Sequence, residues 1–272
     1  MSFTRSKIFI ACTLSAAFSM TACSNANDEK KQATLTASTP ATGEASTLSE
    51  RNSQQRLVST LQDNLKKANI TAKITEVKAT EVPNLFWVSF EGMSSVYATS
   101  DGKYIIQGDV IRLGDSKLHN VSDNLQAEVT KKQFANLKNE DLLIYKAKGA
   151  TKHVIYVFTD VSCPYCHKFH EHMDEITGKG IEVRYIAWPR GEQLIPAMES
   201  VWCSADRHAA FDQAIAGAQL PPAPANCKNP VKAQYQMGLN IGVNGTPAIY
   251  NSEGLYLGGY LEPAELLNRL NN

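Results

Sequence analysis

The apolar positions of this chain change period several times, and each change marks a different element. Leu57, Val58, Leu61 and Leu65 recur at three- and four-residue spacing, the period of one helix face, so an amphipathic helix is expected to open the ordered part near Asn52. Short β-branched and aromatic runs follow at 72–78, 85–90, 95–99 and 103–107, and Asp101-Gly102 supplies a two-residue hairpin turn between the last two. The pattern predicts a small α+β unit of about sixty residues, marginal alone, with strand edges around 96–110 free to pair with a second copy. Ser122 and Asp123 mark a helix start, and Leu125, Val129, Phe134 and Leu137 carry a partial helical period to about residue 138, which predicts a connecting helix. Beyond it, 142–145 and 154–158 read as strands, 163–177 as a helix and 181–186 as a strand, a βαβ pattern. A helical insertion at about 196–236 interrupts this, with Pro221, Pro222 and Pro224 forcing a loop. A hairpin at 248–250 and 255–258 and a helix after Pro263 complete the chain.

The first fifty residues do not fit any of these patterns. Arg5 and Lys7 precede an apolar stretch over 8–20 and the small-residue approach Thr21-Ala22-Cys23, the layout of a secretory signal and too short to span a bilayer comfortably. Met20-Thr21-Ala22-Cys23 also resembles a lipobox, in which Cys23 is acylated after cleavage; ordinary cleavage near Ala22 or Ala26 is the other reading. Over 24–50, Ser, Thr and Ala supply 14 of 27 residues and no aromatic appears, so the segment buries too little apolar surface to offset its ordering entropy and is expected to be a tether. The expected boundaries are 1–23 for the signal, 24–50 for the tether, 51–114 for the first domain, 115–140 for the linker helix and 141–272 for the second domain. A hydrophobic content of 43% is ample for packed cores. Lys plus Arg equals Asp plus Glu at 27 each with no basic patch, so charge gives no argument for a polyanionic partner and no nucleic acid is expected.

Cysteine usage adds the chemistry. With Cys12 and Cys23 in the leader, four cysteines remain, an even number that suggests two pairs in an oxidising compartment. Cys163-Pro164-Tyr165-Cys166 follows the strand 153–158 and opens a helix, the setting of a thioredoxin-like redox site. Residues three apart in a first helical turn share a face, so the two sulfurs can close a small ring, and the free N–H groups there favour a thiolate. By elimination Cys203 pairs with Cys227, a structural disulfide closing about 25 residues and stabilising the fold by roughly 3.5 kcal/mol on the chain-entropy model. A CxxC pair alone also suits half a zinc site, and His167, His170 and His172 lie close by. The helical spacing points His172 away from the cysteines, and the three read as solvated surface histidines; no metal is expected. Gly245-Thr246-Pro247-Ala248 leads into a strand, where a cis-proline loop would sit beside the dithiol and present its backbone to an incoming peptide. Pro164, Tyr165, Thr246 and Pro247 would then line the substrate site.

Phe158-Thr159-Asp160, Cys163 through Lys168, Val183-Arg184-Tyr185-Ile186-Ala187-Trp188-Pro189-Arg190, Trp202-Cys203 and Gly242-Val243-Asn244-Gly245-Thr246-Pro247-Ala248 closely resemble the bacterial DsbC/DsbG thiol–disulfide isomerases, and Asp101 through Gly108 extends the resemblance upstream. The resemblance implies a thioredoxin-like domain with a helical insertion, a cystatin-like N-terminal dimerisation domain and a linker helix, an α/β plus α+β architecture assembled as a V-shaped homodimer. It implies a periplasmic enzyme that isomerises or reduces non-native disulfides in misfolded secreted proteins. Cys163 would attack from an exposed position and Cys166 resolve, with no cofactor beyond the redox-active Cys163–Cys166 disulfide and with reduction by a membrane partner of the DsbD type. Pro164-Tyr165 is the dipeptide of DsbG-type members, whereas the Cys203/Cys227 pair looks like DsbC, so reduction of cysteine sulfenic acids on oxidised clients is a second reading. A lipobox is unusual in this family, and through Cys23 it would tether the periplasmic protein to a membrane; a non-enzymatic metal-binding lipoprotein using Cys163, Cys166 and the nearby histidines is the third reading, and a chaperone cleft a further role.

Overall fold

The structure, a computed structural model, describes residues 43–114 and 118–272. The expected leader, Cys23 and most of the expected tether lie outside the described residues. Helix α1 (Gly43–Lys67) begins well before Asn52 and takes in the last residues of the segment expected as tether. Glu44, Ala45, Leu48 and Glu50 are good helix formers, and lengthening a helix is far easier than nucleating one.

Leu57, Leu61 and Leu65 of α1 bury against Val88, Phe90, Val96 and Ala98 of a four-stranded antiparallel sheet. Its strands lie in chain order, β1 (Ile74–Ala79), β2 (Leu85–Phe90), β3 (Met93–Thr99) and β4 (Ile105–Ile106). The expected turn at Asp101-Gly102 joins β3 to β4. Gly102 has φ +64°, and its carbonyl accepts from Asn64 Nδ2 at 2.8 Å, so the turn docks on α1 where a side chain would press on Thr60. A short ribbon, β5 (Ile111–Arg112) with β6 (His119–Asn120), leads into helix α2 (Val121–Phe134), whose N-terminus is capped by Asn120 through the Ser122 N–H.

The second half is a five-stranded sheet of β7 (Leu143–Tyr145), β8 (His153–Thr159), β9 (Ile181–Ala187), β10 (Ala248–Asn251) and β11 (Tyr256–Gly258), ordered β11-β10-β8-β9-β7. Only β8 and β9 run parallel. The period-2 alternation of β8 sends Ile155 and Val157 to one face and Tyr156 and Phe158 to the other. Helices α3 (Pro164–Glu171), α4 (Met173–Gly178), α5 (Ile195–Trp202), α6 (Arg207–Ile215) and, at the chain end, α8 (Pro263–Asn271) cover the first face; α2 and α7 (Val231–Asn240) cover the second. The single helix expected over 163–177 is thus two, because a tight hydrogen bond from His172 N–H to Phe169 O closes α3.

The insertion is fastened at three points. Cys203 is bonded to Cys227. Trp202, 1% exposed, donates from Nε1 to the Asp141 carbonyl at 2.9 Å. Buried Gln234 donates to the same carbonyl at 2.8 Å and accepts from Ala187 N–H at 2.8 Å, tying α7 to the end of β9.

Candidate active site

Strand β8 ends at Thr159, and the next residue, Asp160, turns the chain. Its carboxylate is fully buried: Oδ1 accepts from Ser162 N–H at 2.7 Å, a turn closed two residues on, and Oδ2 accepts from Arg190 N–H at 2.8 Å. The Arg190 guanidinium reaches back to the Ser162 carbonyl at 3.0 Å, and Val161 N–H donates to Met198 Sδ. This clamp fixes the loop that delivers Cys163 to the N-cap of α3, with Pro164 in the first turn where its missing N–H costs nothing. Sequence reasoning gave Asp160, Arg190 and Met198 no role; an Asp three residues ahead of Cys163, at a strand end, is the one local signal of such a turn.

Cys163 and Cys166 are both free thiols. Cys163 was expected to stand exposed, but it is 2% exposed, because the loop before β10 lies across it and its Sγ donates to the Thr246 carbonyl at 3.1 Å. Thr246-Pro247 is cis. A hydrogen bond from the Cys166 thiol lowers the Cys163 pKa most, against the opposing effect of burial; the Thr246 hydroxyl and the N–H groups of Cys166 and Tyr165 add to it, and the thiol is brought down to about 5. Cys166, 1% exposed, is driven the other way: burial and the Cys163 thiolate push its thiol far up, with the Thr159 hydroxyl opposing. Thr159 Oγ1 and Thr246 Oγ1 are buried and without a hydrogen-bond partner among the described residues.

Around the pair, Tyr165 is 61% exposed with its ring 6.1 Å from that of Tyr260. Lys168 stands over Tyr260 at 4.5 Å and pairs with Glu262 at 3.0 Å. Together they form an aromatic and charged rim that sequence reasoning did not find, since 260–262 lies almost a hundred residues beyond the cysteines. The histidines divide. His167 Nε2 donates to the Val161 carbonyl at 2.7 Å, and His172 stays at the surface beside Glu175 and Glu262. His170, expected to be solvated, is turned inward under Tyr145 and Phe211 with its side chain 14% exposed. Among the described residues no three His, Cys, Asp or Glu groups converge to hold a metal ion.

A low-pKa thiolate over a buried partner thiol, at a helix start and under a cis-proline loop, makes the second half a thioredoxin-like thiol–disulfide oxidoreductase domain. Residues 140–272 match the thioredoxin-like domain family and residues 25–123 the disulfide bond isomerase protein N-terminal domain. The thiol:disulfide interchange protein DsbC of Dickeya dadantii is 41% identical over 64% of this chain and 71% of its own length, and that of Salmonella typhimurium 38% identical over 73% and 81%. The chain belongs to the DsbC family of thiol:disulfide interchange proteins. The solved disulfide interchange protein of Neisseria gonorrhoeae superposes with a TM-score of 0.43 at 23% identity, over 50% of this chain and 98% of that one.

Proposed function

We propose that this protein isomerises and reduces non-native disulfides of secreted proteins, with Cys163 as the attacking and Cys166 as the resolving thiol. The observation that carries the reading is the opposite tuning of the two sulfurs, one lowered to about 5 and the other held as a buried thiol. The Cys163 thiolate attacks one sulfur of a client disulfide; that S–S bond breaks, the other client sulfur leaves as a thiolate, and a mixed disulfide forms. A different client thiolate then attacks the client sulfur of the mixed disulfide, giving a rearranged bond and restoring the Cys163 thiolate. When none arrives, Cys166 attacks Cys163, the client leaves reduced, and the Cys163–Cys166 disulfide needs a reductant, here a membrane partner of the DsbD type. No other cofactor enters.

Pro164, Tyr165, Thr246 and Pro247 line the client site, the loop backbone pairing with an extended client segment as an added strand. The exposed side chains of Tyr104, Ile105, Ile106 and Ile111 support a homodimer joined through its N-terminal sheets. The family supports a periplasmic location, and the Met20–Cys23 lipobox pattern a lipid tether at Cys23. The Pro164-Tyr165 dipeptide favours a second reading on the same residues, reduction of a sulfenic acid on a lone client cysteine.

Refolding of scrambled ribonuclease by the purified protein tests the proposal. Cys163→Ser is expected to abolish activity and Cys166→Ala to accumulate mixed disulfides. Unchanged refolding in both variants overturns the assignment, and trapping of single-cysteine clients alone moves the function to sulfenate reduction.

A further inference from the structure

Both halves of the molecule line a cavity of about 530 Å³ that the thiol chemistry does not use. The N-terminal sheet supplies Trp87 from β2 and Ser94 from β3, the connecting segment supplies Asp109 and Asp123, and the catalytic half supplies Asn244 and Tyr256. These walls are fastened to one another. The Tyr97 hydroxyl on β3 is 2.6 Å from Ser122 Oγ at the start of α2, and α2 lies so close to the turn between β10 and β11 that a Cβ on Gly254 would meet the Ala127 carbonyl at 2.3 Å. The cavity is therefore preformed, as binding sites for small groups usually are.

Its polar groups are left open in a particular way. No lysine, arginine or histidine lines it, and the cations nearest in sequence turn elsewhere, Arg112 to Glu81 and Lys131 to Glu253. Burial first, and then the charge of Asp109, raise the Asp123 carboxyl, with His119 opposing, so the two carboxylates stand in one another's field. Trp87 is 5% exposed, lines the cavity, and has no acceptor for its Nε1 N–H among the described residues. A buried donor of this kind is left for an occupant to satisfy. Tyr250 and Tyr256, their ring centroids 5.2 Å apart, add two more aromatic walls.

The occupant must bring positive charge for Asp109 and Asp123, a flat apolar part for the aromatic walls and an acceptor for the Trp87 N–H. A metal or ammonium ion meets the first requirement alone. An arginine within a peptide meets all three, with its guanidinium, the plane of that group and its main-chain carbonyl. A peptide is also what arrives there. Asn244 is two residues before Thr246, whose carbonyl accepts from Cys163 Sγ at 3.1 Å, and Ala248 follows Pro247 directly. Two residues of chain span at most about 7 Å, so a client segment on the Thr246 loop reaches the cavity within a few residues of its reacting cysteine. We propose that this cavity is a specificity subsite for a client arginine near the cysteine under attack. The N-terminal half thereby takes part in choosing the client within its own chain. The subsite rests on Cys163 being the attacking thiol.

Short peptides test it, each with a single cysteine activated as its thionitrobenzoate mixed disulfide and carrying Arg or Gln two residues before or two residues after that cysteine. Release of thionitrobenzoate by the full, reduced chain reports attack by Cys163. At low salt the Arg peptide is expected to react about fivefold or more faster than its Gln counterpart in one of the two placements, and the advantage should shrink to within about twofold in about 0.5 M salt. Asp109→Asn combined with Asp123→Asn should abolish the advantage; both side chains are exposed, so folding is not at stake. Trp87→Phe, which keeps a ring and deletes the donor, should reduce it. No advantage in the wild type overturns the subsite. So does an advantage equal in both placements, or one that survives the double Asp variant, since either is steering by general surface charge. If Cys163→Ser still releases thionitrobenzoate at the wild-type rate, the assignment of the attacking thiol falls and the subsite falls with it; release lost in Cys163→Ser, without an Arg advantage in the wild type, overturns the subsite alone.

Discussion

The five-stranded sheet is covered on both faces, by α3–α6 and α8 on one and by α2 and α7 on the other, and its outer strand β7 is sealed by the insertion that Trp202 and Gln234 pin to Asp141. The four-stranded sheet also has a filled core, under α1, yet it ends in a two-residue strand whose Ile105 and Ile106 are each 47% exposed. The first sheet has its β7 edge covered by the insertion, whereas among the described residues the second leaves the apolar side chains of its β4 edge exposed. The contrast follows the division of labour. Thiol chemistry requires a rigid frame that holds two sulfurs in different environments a few ångströms apart, whereas an open apolar edge has a use only when another chain is present.

The first way to break the contrast is to loosen the completed half. Trp202→Ala removes a buried indole and its hydrogen bond to Asp141, and is expected to cost about 3–5 kcal/mol, read as a fall in the denaturant midpoint. The loss should appear in the catalytic half, with Tyr97 and Trp87 in the N-terminal half keeping their environment. A midpoint unchanged from wild type would mean that the insertion does not seal the sheet.

A smaller effect comes from the thiolate. The Cys163 pKa, lowered to about 5 in the folded dithiol first by the Cys166 hydrogen bond, lies below the usual thiol value near 8.5, so the unfolded chain binds the extra proton between these two values. For a depressed acid the stabilisation is complete above the unfolded pKa and disappears as pH falls through the folded one. The reduced protein should therefore gain stability relative to its oxidised form between about pH 5 and pH 8. Above that range the raised Cys166 thiol works in the opposite direction, because the unfolded chain then ionises it more easily. Paired urea titrations of the two redox forms cancel every other titrating group; a gap constant from pH 5 to pH 8 would mean Cys163 is not the depressed group. Iodoacetamide alkylation of Cys163 should plateau above about pH 6 for the same reason.

What could be read from the sequence and what could not divide along similar lines. Strands 85–90, 154–158 and 181–186, the dithiol turn, and the loop at Thr246-Pro247 are legible because period, turn residues and spacing are local properties. The features that tune the chemistry are not. Cys163 is covered by Thr246, 83 residues on, and His170 is drawn inward by Asp212, 42 residues on. The Asp160–Arg190 clamp spans 30 residues, and helical period alone, which places His170 correctly on the Cys166 face, does not reveal that α6 packs over that face. The early start of α1 is a different case, since local helix propensity was present in 44–50 but outweighed by a composition typical of tethers.

The smallest effect on stability is expected at the open edge, and there the comparison is sharpest. Ile105→Lys with Ile106→Lys changes two half-exposed side chains on a strand that, among the described residues, pairs on one side only, with β3 through Tyr97 and Ala98. Surface changes of this kind alter stability by about 0.5 kcal/mol or less, and two lysines on an edge block its pairing with another chain. The doubly substituted protein should unfold at the same denaturant concentration as wild type when dilute, yet sediment at half the wild-type mass. Thionitrobenzoate release by Cys163 should be unchanged, because Asp160, Arg190 and Thr246 all lie in the same chain, whereas refolding of scrambled ribonuclease should fall if clients are held between two copies. A variant that keeps the wild-type mass would show the edge to be free of a partner, and a wild-type refolding rate in a monomer would separate isomerisation from assembly.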